Sequence, residues 1–377
     1  MSDFYCNQKF WWLTVNFENL HTHSCCAATP QKIDLSWLKK HPGKIFNSPE
    51  LINDRKMMLE NKPAPSCSAS CWIPESKGLQ TRRTMHNGQV KTHTDLESDP
   101  DVINITLGTD CNLTCAYCCK FYSSAWTKDI ITKTYPVEVS DDTFTVNNVD
   151  LILTKVSQKD FYNSSARQML INEIQTLYKS SKLKEVTISG GEPFLYLELS
   201  KLVNDISSVD ININTGLGVN ENRFAKELEK LPKHVKIFVS VESIGPAYEF
   251  IRYGNSWKRF ENNLNEIKRQ GFSYAFKTTI SNITLPSLSE FIDYAGNTPI
   301  IHGICTKPDF LSVEVLDDVT KSNLDLSQVP EVIKQSLTKQ PTVKQIENFK
   351  AYIKEFAQRR SLDFKIFPQS MINWINT

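Results

Sequence analysis

Nowhere does this 377-residue chain approach the roughly 20 consecutive apolar residues that a membrane-spanning helix needs, so no membrane partner is expected. A secretory leader is missing as well: MSDFYCNQKFWWLTVNF has no basic segment followed by a long apolar run, and a cytoplasmic location is expected. Charge of one sign is also lacking. With 43 Lys+Arg against 42 Asp+Glu, no whole-molecule field draws the chain to nucleic acid or anionic lipid. Internal repeats and low-complexity tracts are absent, which sets aside solenoids and disordered arrays.

Cysteine, in contrast, is plentiful. Ten thiols in a chain expected to meet a reducing compartment point to metal or catalysis rather than to disulfides. They are clustered: Cys6, Cys25, Cys26, Cys67 and Cys71 come first, four more fall between 111 and 119, and Cys305 stands alone. Two metal sites are the simplest account of that distribution.

From about residue 102 short β-branched runs alternate with helical patterns. VINITLG (102–108), EVTISGG (185–191), DININTG (210–216), KIFVSVE (236–242), SYAFKTTI (273–280) and a run from Ile300 predict strands. Apolar residues recur between them at helical spacing, as in Leu170/Ile174/Leu177, Leu195/Leu199/Leu202, Phe224/Leu228/Leu231 and Trp257/Phe260/Leu264/Ile267. The alternation predicts an α/β fold with a parallel sheet, either an open doubly wound sheet or a partial barrel, and both place their chemistry at the carboxyl ends of the strands. Residues 120–160 interrupt the first βα unit with a polar, β-prone stretch that reads as an inserted hairpin, on the surface or as a lid. Before residue 100 the chain reads as irregular, with a core too poor to stand without a metal. Val343/Ile346/Phe349/Ile353/Phe356 mark a terminal helix.

The segment CNLTCAYCC follows the first of these strands. Cys111, Cys115 and Cys118 can wrap three thiolates around one face of a cuboidal iron-sulfur cluster and leave the fourth iron open, whereas an electron-transfer ferredoxin closes its cluster with a fourth cysteine. Cys119 has the wrong spacing for that role and reads as packing. A zinc site usually shows paired CxxC or Cys/His spacings, and no His lies near enough in sequence to complete one.

CxxxCxxC with Tyr117 as the aromatic before its last cysteine resembles the signature of the radical SAM superfamily. The resemblance implies a [4Fe-4S] cluster whose open iron is chelated by S-adenosylmethionine (SAM), and reductive cleavage of SAM to methionine and a 5′-deoxyadenosyl radical. It implies a site role for Gly190, Gly191 and Glu192, since the family places a Gly-Gly-Glu motif at this strand end to hold the methionine amino group. Ser240 and Arg252 occupy places where many radical SAM peptide modifiers contact the SAM ribose or carboxylate region and pair with the methionine carboxylate. Glu242 stands where those relatives have Asp. Asn214 to Gly216 resemble a Thr-Asn-Gly strand end in altered order, and Ile280 to Asn282 are expected near the adenine.

Cys6, Cys25 or Cys26, Cys67 and Cys71 resemble the ligands of a twitch, or half-SPASM, module, which implies an auxiliary [4Fe-4S] cluster. In most relatives this module follows the barrel; here it precedes it. Zinc, or a three-thiolate cluster that binds substrate, are the alternatives. His21 and His23 are expected in a solvated loop, and Arg82 and Arg83 face substrate or solvent.

The expected architecture is a partial (β/α)6 TIM-type barrel over 101–305, an irregular cluster-binding module over 1–100 and a helical extension over 306–377. The expected activity is hydrogen abstraction from a peptide or amino acid, with a nucleoside or other small metabolite as the alternative and an electron donor such as flavodoxin or ferredoxin as partner. A non-catalytic iron-sulfur or zinc-binding electron-transfer protein is the rival from another class. Cys305, at the end of the sixth strand, is a buried structural thiol or a hydrogen-atom donor to a substrate radical.

Overall fold

The computed structural model describes residues 3–25, 27–76, 78, 81, 83–84, 93–132, 135–137, 165–179 and 183–377. The chain divides into two compact units, Met1–Gly108 with Asp142–Ile213, and Thr109–Asp141 with Asn214–Thr377. Most of the inserted hairpin anticipated within 120–160 lies outside the described residues, as do Cys26 and Arg82; Ser124–Thr132 is an α-helix.

The first unit is built on β-branched alternation. Its strands are β1 (Trp12–Asn16), β2 (His21–His23), β3 (Gln31–Lys32), β4 (Val102–Thr106), β5 (Glu185–Ser189) and β6 (Asp210–Thr215), in the order β3-β2-β1-β4-β5-β6. β1, β4, β5 and β6 run parallel, while β2 pairs antiparallel with β1 and β3 antiparallel with β2. The register lines up Leu13, Ile103, Val186 and Ile211 in one row and Val15, Ile105, Ile188 and Ile213 in the next. All eight are buried, each worth roughly 1.5–3 kcal/mol of transfer free energy. The helices Ser165–Lys179 and Leu199–Asp205 bury Leu170, Ile174 and Leu177, and Leu199 and Leu202, at the spacing expected of them.

β1 to β3 were not expected. Residues 1–100 read as irregular, yet WLTVN continues the parallel sheet beside β4, and Phe10, Phe17, Phe46, Leu51 and Met58 are buried around it. The pairing partner lies some 90 residues further along the chain, so no local pattern announces it.

The second unit carries β7 (Lys236–Ser240), β8 (Ser273–Ile280) and β9 (Ile300–Ile304), all parallel. Ile237 and Val239 of β7 share a face with Tyr274 and Phe276 of β8, and the Phe276 ring meets Phe291 of helix Leu288–Ala295 edge to face. Phe238, Ser240, Ala275 and Lys277 line the opposite face. Helices Glu221–Glu229, Gly245–Ile251 and Trp257–Arg269 supply the remaining buried apolar rows. In neither unit does the sheet close on itself, so the fold is α/β with an open, mainly parallel sheet, consistent with a partial barrel.

The long helix Val343–Arg359, which a shorter helix Gln369–Asn376 follows, opens with a capping box between Thr342 and Gln345. Phe349, Ile353 and Phe356 form its buried stripe; Val343, assigned to that stripe by spacing, is exposed in the first turn. Tyr352 donates to the carbonyl of Ala116, and Arg360 reaches Asp129 and Thr114, which ties this helix to the loop that follows β4. Among the described residues no helix is long and apolar enough to cross a membrane.

Candidate active site

The first four expected strands end one or two residues early while β8 keeps its expected bounds, and the motif residues lie at the strand ends or in the loops just beyond. After β4 the chain runs through Cys111–Cys119 as a loop whose backbone is held from several sides. Thr114 N donates to Tyr253 O at 2.9 Å and Ala116 N to Ile251 O at 2.7 Å. Trp126 Nε1 donates to Cys115 O, Asn112 Nδ2 to Gly218 O, and Ser124 Oγ exchanges hydrogen bonds with both backbone groups of Cys111. Gly254 permits this approach: its φ is +107°, and a Cβ there would stand 2.8 Å from Asn112 O. The three thiols therefore sit on a preorganised loop. None is in a disulfide; Cys115 is buried, and Cys111 and Cys118 are half-buried.

Glu242 is the pivot beneath the loop. Fully buried two residues past β7, it receives Arg252 Nε at 2.9 Å on one carboxylate oxygen. The other oxygen accepts Arg252 Nη2 at 2.7 Å, Tyr117 Oη at 2.8 Å and Thr279 N at 3.1 Å. Arg252 turns its remaining fork nitrogen, Nη1, toward Cys115 Sγ at 3.9 Å. Burial pushes the Cys115 thiol up, and the Arg252 guanidinium beside it pulls in the opposite direction, toward the thiolate. Burial likewise raises Cys118, reinforced by the neighbouring cysteines, and raises Tyr117, which therefore acts as a neutral donor. An ionised carboxylate here is sustained only by this donor set, since an unpaired buried charge is costly.

The structure thus joins Cys115, Tyr117, Glu242 and Arg252 in one network, in which the fork of Arg252 is engaged by Glu242. Ser240 is half-buried at the end of β7, beside Lys277 of β8. Lys277 Nζ donates to Asn214 Oδ1 at 2.9 Å. Ile280 is buried at the end of β8, and the Asn282 amide is spent on the carbonyls of Phe310 and Val315. Cys305 follows β9; its amide donates to Ile280 O and its thiol to Lys307 O at 3.3 Å.

In the first unit, Gly190 has φ +142° and a Cβ on it would stand 3.0 Å from Gly108 O, while Gly191 N donates to that same carbonyl. The pair lets β4 and β5 approach as closely as their loops require. Glu192 is buried, and its carboxylate accepts from Phe194 N at 3.2 Å.

The amino-terminal thiols of this unit also gather. Cys6, Cys25, Cys67 and Cys71 are buried in one cluster with Ala28, Met58 and Ala64, and none is in a disulfide. Cys6 precedes a 3-10 turn (Asn7–Phe10), Cys67 ends another (Pro65–Cys67), and Cys71 lies in a π-helical turn (Ser68–Trp72) closed by a hydrogen bond from Trp72 Nε1 to Ala64 O. Burial and then the neighbouring thiols push Cys6 up to about 12 and Cys71 to about 11. His21 and His23 lie in β2 rather than in a solvated loop, and the His23 ring bonds Cys25 O. Arg83 is paired with Glu75 and stacks over Trp72.

Sequence reasoning did not find the parts that brace the loop: Ser124, Trp126, Gly254, Tyr352 and Arg360. Glu242 entered only as a departure from an expected Asp, and a buried Glu ten residues before an Arg across a helix was the available signal.

The chain is similar to the Probable GTP 3′,8-cyclase of Methanococcus vannielii, 25% identical over 175 residues that make up 45% of this chain and 57% of that one. Its similarity to Streptococcus suis SuiB has a TM-score of 0.39 at 12% identity, over 83% of this chain and 63% of that structure. For native anSMEcpe with bound AdoMet the TM-score is 0.36 at 13% identity, over 69% and 62%. The chain thus spans about three fifths of the length of each. The model of the radical SAM superfamily matches residues 105–294, half of the chain, and with the braced CxxxCxxC loop this places the chain in the radical SAM superfamily.

Proposed function

We propose that the chain is a two-cluster radical SAM enzyme that modifies a peptide or an amino acid. Membership of the superfamily implies SAM and one [4Fe-4S] cluster. Cys111, Cys115 and Cys118 fit that group: three thiols without disulfides, on a loop fixed by its neighbours, with a guanidinium 3.9 Å from the central sulfur. When bound, the cluster supplies the electron that splits SAM into methionine and a 5′-deoxyadenosyl radical. The protein's own part is positional. Arg252 favours the Cys115 thiolate, Glu242 fixes Arg252, and Tyr117 and Thr279 fix Glu242. On the Gly-Gly-Glu motif, Glu192 takes the methionine ammonium; Ser240 and the strand end at Ile280 serve the rest of SAM, and the electron comes from a flavodoxin or ferredoxin.

Cys6, Cys25, Cys67 and Cys71 hold the auxiliary [4Fe-4S] cluster in this reading. The observation that supports it is their shared burial in one cage without disulfides. The organisation proposed is a cluster module over 1–100, the barrel over 101–305 and a helical extension over 306–377. A peptide or amino acid as substrate rests on the resemblance of the amino-terminal cysteines to a twitch module. The similarity to the Probable GTP 3′,8-cyclase favours a nucleoside as the second reading.

Iron and sulfide analysis after anaerobic reconstitution tests the two-cluster claim. About eight irons per chain are expected, falling to about four when Cys111, Cys115 and Cys118 are replaced by Ala; four in the wild-type chain and none in the variant would refute the auxiliary cluster.

A further inference from the structure

We infer that Lys9 is the charge-setting partner of the amino-terminal cysteine cage: its buried ammonium offsets the negative charge of the sulfurs and eases reduction of a cluster bound there. The inference rests on the reading of Cys6, Cys25, Cys67 and Cys71 as cluster ligands.

The polar turn Asn7–Phe10, which follows Cys6 directly, is buried throughout, an unusual fate for Asn-Gln-Lys. Two of its side chains reach the metal-free cage. Gln8 Oε1 accepts from Cys25 Sγ at 3.2 Å. Lys9, only 1% exposed, donates to Asp54 Oδ2 at 2.6 Å and to Ser66 Oγ at 2.7 Å. Ser66 in turn donates to Asp54 at 2.6 Å, and its oxygen lies 3.8 Å from Cys67 Sγ. Ser66 and Cys67 are adjacent in the chain, so the ammonium is brought to the edge of the cage through a single hydroxyl.

Stability gives little reason for such a pair. Two charges removed from water are commonly matched or bettered by apolar residues of the same volume. A cage of four thiolates around a cubane with a 2+ core carries a net charge of 2−, and one-electron reduction makes it 3−. Net charge and hydrogen bonds at the sulfurs are what set the potential of such a cluster. A cation one hydroxyl away from a ligand sulfur favours the reduced form; the carboxylate that holds it opposes this from farther out.

The test is a potentiometric titration, followed by electron paramagnetic resonance, of the full-length chain with Cys111, Cys115 and Cys118 replaced by Ala, so that only the amino-terminal cage can hold iron. In that background Lys9→Met is expected to reduce the ratio of reduced to oxidised cluster about tenfold at a fixed potential, equivalent to about 59 mV downward for one electron. Asp54→Asn, nearly isosteric, is expected to shift the midpoint upward, and it decides the matter alone if Lys9→Met does not fold. A pair with a purely structural role predicts lower iron retention in both variants and an unmoved midpoint. Midpoints that stay put, or move in the same direction, with about four irons still bound overturn the role of Lys9 and leave the auxiliary cluster standing. A background that binds no iron overturns both.

Discussion

Replacing Arg252 by Met removes the guanidinium and keeps most of the side-chain volume, which isolates what the Glu242 pair contributes. Glu242 is fully buried and would lose two charge-assisted hydrogen bonds, from Nε and Nη2, each worth roughly 1.5–3 kcal/mol. Tyr117 Oη and Thr279 N would remain on the carboxylate and soften the loss. Removing one partner of a buried pair typically costs about 3–5 kcal/mol, and with two donors left the lower part of that range is expected. Glu242→Leu on the same background removes the stranded charge, so the double variant should recover about 2 kcal/mol relative to Arg252→Met alone. Anaerobic urea unfolding of the cluster-free chain, followed by circular dichroism, measures both. A single-variant loss below 1 kcal/mol, or single losses that simply add, would refute Glu242 as a charged, buried pivot.

Three further outcomes follow from the geometry. Gly254→Ala puts a Cβ 2.8 Å from Asn112 O at a φ of +107°; a loss of about 1–3 kcal/mol and poorer iron retention at the Cys111 loop are expected, read by unfolding and iron analysis. Burial holds His23 down at about 4, against 6.5 when unfolded, so the unfolded chain binds more protons between those values. Stability is complete above pH 6.5 and falls toward pH 4, with a loss of about 2 kcal/mol between pH 7 and pH 5 that His23→Asn should abolish in urea titrations. Cys305→Ala tests a hydrogen-donor role: product formed in deuterated water should lose its solvent-derived deuterium, and full incorporation would leave Cys305 as packing.

The six strands from β4 to β9 were legible because each is a short β-branched run bounded by turn residues, and the helices between them because their apolar residues recur at helical spacing. β1 to β3 were not. WLTVN is a strand by virtue of β4, a partner that sequence separation hides, and β3 is only two residues long. The cysteines at 111, 115 and 118 announced themselves by spacing alone. The arrangement around them did not, since Glu242 and Arg252 meet only after a helix reverses the chain, and Tyr352 reaches Ala116 from 236 residues away. What a thiolate loop leans on is fixed by tertiary packing, which local pattern does not encode.

The central claim is that the loop of Cys111, Cys115 and Cys118 initiates SAM-dependent radical chemistry. Reconstituted anaerobically, reduced and supplied with SAM, the chain should form 5′-deoxyadenosine and methionine in equal amounts, and Cys115→Ala should form neither. A fully reconstituted wild-type chain that leaves SAM intact would contradict it.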